Sequence, residues 1–198
     1  MNDSVPTRQP ILLDGGMGRE LWYRGVDVPR GIWSAQALFD APEVVREIHR
    51  DYILAGAGVI TTNTYGVVRE NFEALGLGDK VGPMLDLAGQ LAVEGREAAG
   101  RHALIAGSLP PLQESYRPDL VGSFEAMLPV YEEQVAHLTP FVDFFLCETM
   151  SNIRESLAAA TAASASGKPV WVAWTLNDHA PGCLKSGESV PEAAAALT

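Results

Sequence analysis

Phe144-Phe145-Leu146-Cys147-Glu148-Thr149 is a run of four apolar residues that ends in a carboxylate and a hydroxyl. The apolar part does not alternate with polar residues, as a strand with one wet face would. A strand of this kind is buried on both faces, which is the habit of a parallel sheet covered by helices. A polar group at the carboxyl end of such a strand stands where α/β proteins bind their ligands.

The pattern recurs on both sides of this stretch. Ile11-Leu12-Leu13 ends at Asp14-Gly15-Gly16, Val59-Ile60-Thr61-Thr62 leads into Asn63, and Leu104-Ile105-Ala106 closes at Gly107-Ser108. Val170 to Trp174 reads as a fifth strand. Helical stretches lie between them. Pro42 opens one, Val44, Ile48, Tyr52 and Ala55 follow at helical spacing, and Gly56 ends it. Further helices are predicted over Val81 to Gly100, Phe124 to Leu138 and Ile153 to Ser166, with another beginning near Pro191. Strand–helix alternation is the mark of an α/β fold. It leaves two architectures open, a doubly wound sheet and a (β/α)8 barrel.

The 198 residues suit one domain, and a 47% hydrophobic content is enough to build a core. A net charge of −11, with arginines scattered singly among acids, argues against a nucleic-acid surface. Two cysteines, Cys147 and Cys183, are too few for a secreted disulfide scaffold. Met1 to Pro10 has no apolar leader core, and no apolar run has the length of a membrane span. A cytoplasmic protein is the expectation.

Asp14 and Glu148 follow different strands and would face one mouth. Two carboxylates there suit an ammonium group or acid–base work, while each could equally cap the following turn or helix. Gly15-Gly16-Met17-Gly18 lacks the Lys-Ser/Thr of a phosphate loop, and a tight turn that brings backbone close to a ligand explains it better. His179 and Cys183 sit four apart beside Asp178, but a structural zinc site needs four ligands and no second pair is near, so an ordinary loop is expected. Cys147 reads as a small buried hydrophobe, His49 as a residue that packs or faces solvent, and Trp33, Trp171 and Trp174 as packing groups.

Taken in order, several segments resemble the homocysteine S-methyltransferase family. They are Leu12-Leu13-Asp14-Gly15-Gly16-Met17-Gly18-Arg19-Glu20-Leu21, Ile32-Trp33-Ser34-Ala35, Pro42-Glu43, and His49 through Ala57. Thr61-Thr62-Asn63-Thr64-Tyr65, Ala106-Gly107-Ser108 and Cys147-Glu148-Thr149 complete the set. The resemblance runs from about Ile11 to the C-terminus and is similar above all to the S-methylmethionine-dependent enzymes. It implies a (β/α)8 TIM-type barrel that moves a methyl group onto homocysteine, with S-methylmethionine or S-adenosylmethionine as donor. It also implies a zinc ion that deprotonates the homocysteine thiol, since the thiolate is the nucleophile. Asp14 and Glu148 match positions that line the homocysteine site, Gly15 and Gly16 would supply close backbone approach, and Thr62 and Asn63 would contact the pocket.

The family's zinc ligands are three cysteines, one in a Gly-x-Asn-Cys setting after the sixth strand and two adjacent ones near the eighth. Neither motif occurs here. Cys147 and Cys183 do not match those positions, so no tightly bound zinc is expected in this chain. About 40 residues per strand–helix unit would need roughly 300 for a barrel, so the chain reads as the first five units. Two alternatives stand beside this one: a non-catalytic protein that binds a sulfur amino acid or a partner chain, and an unrelated α/β enzyme such as a pterin-binding one. With five strands of eight, the first and fifth become apolar edges. Either aggregation or a homo-oligomer that covers them is expected.

Overall fold

A computed structural model describes residues 10–29 and 31–197. The opening segment read for a leader lies outside these residues except for Pro10. The element order is α1 (Met17–Tyr23), α2 (Ala37–Asp40), α3 (Pro42–Ala55), β1 (Val59–Thr61), α4 (Arg69–Ala74), α5 (Val81–Ala99), β2 (Leu104–Leu109), α6 (Phe124–Leu138), β3 (Phe144–Met150), α7 (Ile153–Ser164), β4 (Val170–Trp174) and α8 (Val190–Ala196). A short 3-10 turn, Trp33–Gln36, precedes α2.

The punctuation seen in the sequence sets the helix ends. Pro42 stands in the first turn of α3, and Gly56 closes that helix at φ 112°. Gly100 closes α5 at φ 61°. Both glycines take a left-handed conformation that a side chain would resist. Asn152 caps α7 by accepting from the Glu155 amide at 2.8 Å. Ser189 and Glu192 form a reciprocal capping box at the start of α8.

All strand pairs are parallel, and the sheet order is β1-β2-β3-β4. Leu13 makes a parallel bridge to Val59 on the open side of β1. Ile11–Leu13 therefore occupies the place of the expected first strand, reduced to one bridging residue. The physical reason is pairing on one side only. The Leu12 carbonyl accepts from Gly58 and Val59, the Asp14 amide donates to Val59 O at 2.9 Å, and Ile11 and Leu12 remain 59% and 60% exposed. This strictly sequential order chooses between the two architectures. A doubly wound sheet reverses its strand order at a switch point, whereas a (β/α)8 barrel adds each strand beside the last. The fold is of the (β/α)8 TIM-barrel type, with about the first five units present.

The strands' period of two sorts the side chains. Ile60, Ile105, Leu109, Phe145 and Cys147 join the main core under the helices. Val59, Ala106 and Phe144, with Leu104 and Leu146, form a separate cluster on the other face. That second face is the inside of the barrel. On the helix side, Ala158, Ala159, Ala162 and Ala163 keep one face of α7 low, so it lies close to its neighbours. Among the described residues, no helix is long and apolar enough to cross a membrane.

Candidate functional site at the barrel mouth

Counting by twos along each strand brings one residue from each of three strands to the inner face at its carboxyl end. These are Thr61 after Val59, Ser108 after Ala106, and Glu148 after Leu146. The hydrogen bonds follow this register. Asp14 Oδ2 accepts from the Thr61 amide at 2.7 Å, and Oδ1 accepts from Thr61 Oγ1 at 2.9 Å. Ser108 Oγ donates to Glu148 Oε1 at 2.5 Å. Both carboxylates are thus held by small hydroxyl donors, and neither forms an ion pair with Lys or Arg among the described residues.

Asp14 and Glu148 line one cleft of about 430 Å³, together with Gly15, Gly16, Thr62, Asn63 and Trp33. Burial pushes the Asp14 carboxyl above its ordinary range, against the two Thr61 hydrogen bonds that favour its charged form. Burial likewise raises Glu148. The Ser108 hydrogen bond opposes the rise, and the negative charge of Asp14 adds to it. Two partly desolvated carboxylates that feel each other's charge form a site that gains by receiving a cation.

The remaining expected site residues have distinct roles. Thr62 and Asn63 are buried and spend hydrogen bonds on the scaffold. Thr62 Oγ1 accepts from the Ser108 amide at 3.1 Å, and Asn63 Nδ2 donates to Ser34 O at 2.9 Å. Gly15 and Gly16 line the cleft with negative φ. A Cβ at Gly15 would lie 2.7 Å from the Tyr52 hydroxyl, while one at Gly16 would meet nothing closer than 3.9 Å. The Gly15–Gly18 stretch is not a tight turn. Gly16 is the N-cap of α1, and Gly18 lies in its first turn.

Sequence reasoning missed three contributors. Thr61, which read only as strand, grips Asp14. Tyr65 lines the cleft, and its hydroxyl lies 2.6 Å from Ser115 Oγ. Trp33 corrects the expectation of a packing group, since it is 60% exposed and lines the cleft at φ 52°. Trp33 and Tyr65 also border a larger neighbouring cleft of about 750 Å³, which adds Glu114, Tyr116 and Thr149. The one available signal was their place inside the Ile32–Ala35 and Thr61–Tyr65 motifs. Trp171 and Trp174 do pack, the first on Phe144 at 4.5 Å between ring centroids, the second by donating to Ser156 Oγ.

The zinc implied by the family resemblance does not fit the described residues. No three His, Cys, Asp or Glu side chains among them converge to hold a metal ion. Cys147 is buried under the helices, where desolvation pushes its thiol up to about 12, the opposite of what a thiolate ligand needs. Cys183 sits in the loop after β4, bridged to Ser189, and Asp178 there pairs with Lys185.

A parallel sheet in strictly sequential order, with polar groups gathered at its strand ends, defines the class, the α/β-barrel proteins. The particular family follows from comparison. The homocysteine S-methyltransferase family model matches residues 11–198, and the chain belongs to that family. It is 34% identical to Homocysteine S-methyltransferase of Escherichia coli (strain K12) over 184 residues, 85% of this chain and 59% of that protein. It is 32% identical to Betaine--homocysteine S-methyltransferase 1 of Bos taurus over 171 residues, 81% of this chain and 39% of that one. The crystal structure of the homocysteine methyltransferase MmuM from Escherichia coli, described as a metallated form, superposes with a TM-score of 0.86. That match is at 33% identity and covers 96% of this chain and 71% of that chain. The chain thus spans about three-fifths of the length of its curated E. coli relative.

Proposed function

We propose that this chain carries the amino-acid-binding part of a homocysteine S-methyltransferase, with Asp14 and Glu148 taking the homocysteine ammonium. The observation that carries this reading is the pair of half-buried carboxylates in one cleft, each held by neutral donors and neither joined to a Lys or Arg among the described residues. An ammonium supplies the missing positive charge and donates to both. Gly15 and Gly16 give the ligand access to backbone, and Thr62 and Asn63 keep the floor of the cleft rigid by tying β1 to β2 and to Ser34. The larger cleft across Trp33 and Tyr65 suits a cationic methyl donor, S-methylmethionine or S-adenosylmethionine. Its aromatic faces attract a sulfonium.

The metal that activates the thiol in the family has no ligand set among the described residues. The 198-residue polypeptide by itself therefore binds homocysteine and does not methylate it. Calorimetry with L-homocysteine tests the site. Asp14→Asn and Glu148→Gln should each weaken binding by about 10- to 100-fold, the loss of one charge-assisted hydrogen bond of roughly 1.5–3 kcal/mol. Circular dichroism should stay unchanged. Unaltered affinity with a lowered melting temperature would instead make these residues caps. Methionine formed from homocysteine and S-methylmethionine by this polypeptide would contradict the second statement.

A further inference from the structure

β1 leaves the sheet at Thr62, and side chains carry the ladder on. Thr61 pairs with Ala106, so in a continued parallel pair Asn63 would come opposite Ser108. The Ser108 amide would then donate to Thr62 O, and Ser108 O would accept from the Thr64 amide. The Thr64 amide donates instead to Thr62 O at 2.8 Å, a three-residue turn that takes the chain out of the sheet. Two hydroxyls stand in for the missing backbone groups. The Ser108 amide donates to Thr62 Oγ1 at 3.1 Å, and Thr64 Oγ1 donates to Ser108 O at 2.9 Å.

The two hydroxyls also lie 2.9 Å apart. A threonine hydroxyl has one proton. That of Thr64 is spent on Ser108 O, so Thr62 is the donor between them. The bonds close a ring, from the Ser108 amide through Thr62 and Thr64 back to the Ser108 carbonyl. All three residues are buried. Released from the ladder, the segment crosses to the 3-10 turn at Trp33–Gln36. Asn63 Nδ2 reaches Ser34 O at 2.9 Å, and Gly66 passes so close to the Ile32 carbonyl that a Cβ has no room. Trp33 and Tyr65, one from each segment, line both clefts.

We infer that Thr64 is a positioning residue, whose hydroxyl closes this ring and so holds the turned segment where Asn63 seats the Trp33 wall of the cleft. Valine has threonine's shape without its hydroxyl. At position 64 it would leave Ser108 O and the Thr62 proton buried without partners. Ser108 would recover its partners by extending the backbone ladder through residues 62–64. That extension undoes the turn and draws Asn63 away from Ser34. The inference rests on the homocysteine reading only for its effect on binding. The seating of Trp33 can be read without any ligand.

The test compares the 198-residue polypeptide with Thr64→Val, Thr64→Ser and Asn63→Ala. Two readouts are taken, the Trp33 indole N–H resonance of the ligand-free protein, assigned with Trp33→Phe, and the affinity for L-homocysteine. Serine keeps the hydroxyl and should match the parent in both. Valine should move the resonance and weaken binding at least fivefold, at a temperature where its circular dichroism matches the parent's. Asn63→Ala keeps the ring but cuts the tie to Ser34, so it should move the same resonance. A folded valine variant with the parent's resonance and affinity overturns the inference, as does a serine variant that behaves like valine. If the valine variant does not fold, Asn63→Ala decides. A moved Trp33 resonance then supports the seating, and an unmoved one overturns it. If the parent binds no homocysteine while the resonances separate as described, the positioning stands and the homocysteine reading fails.

Discussion

His49 has both ring nitrogens buried with no hydrogen-bond partner. It sits on α3 where that helix crosses α5 so closely that a Cβ on Gly95 would lie 2.7 Å from the His49 Cβ. Burial holds its pKa down to about 4, against 6.5 for the free side chain. Between those values the unfolded chain binds a proton at His49 and the folded chain does not. Stability from this residue is therefore present above about pH 6.5 and is lost as pH falls toward 4, by about 3 kcal/mol in all. His49→Leu should remove this slope, so urea midpoints of variant and parent should diverge in the variant's favour between pH 6.5 and 4. Parallel pH profiles would show that the imidazole is not desolvated. In the sequence, His49 was legible only as packing or facing solvent, because helical position does not reveal what lies opposite. Asp14 and Glu148 were legible because each follows an apolar run. The hold of Thr61 on Asp14 was not, since it joins residues 47 positions apart. The left-handed conformations of Trp33 and Thr149 leave no mark in composition.

Elements with strong punctuation were read with near-correct bounds. Phe124–Leu138 was expected as a helix and found as α6, and α3 and α5 end at the glycines that mark them. Short elements were missed. α1 hides behind Gly16-Met17-Gly18, which reads as a turn, and the 3-10 turn Trp33–Gln36 carries no periodicity long enough to see. That turn is set by contact with the segment after β1. A Cβ on Gly66 would lie 2.1 Å from the Ile32 carbonyl oxygen and 3.1 Å from the Ala35 Cβ. Both neighbours flank Trp33 and Ser34, which line the cleft of Asp14 and Glu148. Gly66→Ala should therefore destabilise the fold by at least about 2 kcal/mol, as expected for overpacking against backbone. It should also weaken homocysteine binding in whatever fraction remains folded. A variant with the parent's urea midpoint would show that the Trp33 turn can move aside freely.

At the scale of the whole molecule, sequential parallel order settles the architecture that alternation left open. The two edges of the sheet differ in character. Ile11 and Leu12 stand outside the Leu13 bridge largely exposed, and β4 presents Trp171 to solvent on the far side. Unpaired apolar edges of this kind invite association, which is why the sequence raised the expectation of a homo-oligomer. Between those edges the mouth is already organised, with Asp14 from the segment beside β1, Ser108 from β2 and Glu148 from β3 tied into one surface. The central claim is that this surface recognises an amino acid by its ammonium. The most direct test is calorimetric titration of the 198-residue polypeptide with L-homocysteine and with 4-mercaptobutanoate, which keeps the thiol and carboxylate but lacks the ammonium. Saturable binding of homocysteine at one site per chain, with the desamino compound at least tenfold weaker, is the predicted result. Equal binding of the two compounds, or none of either, would contradict it.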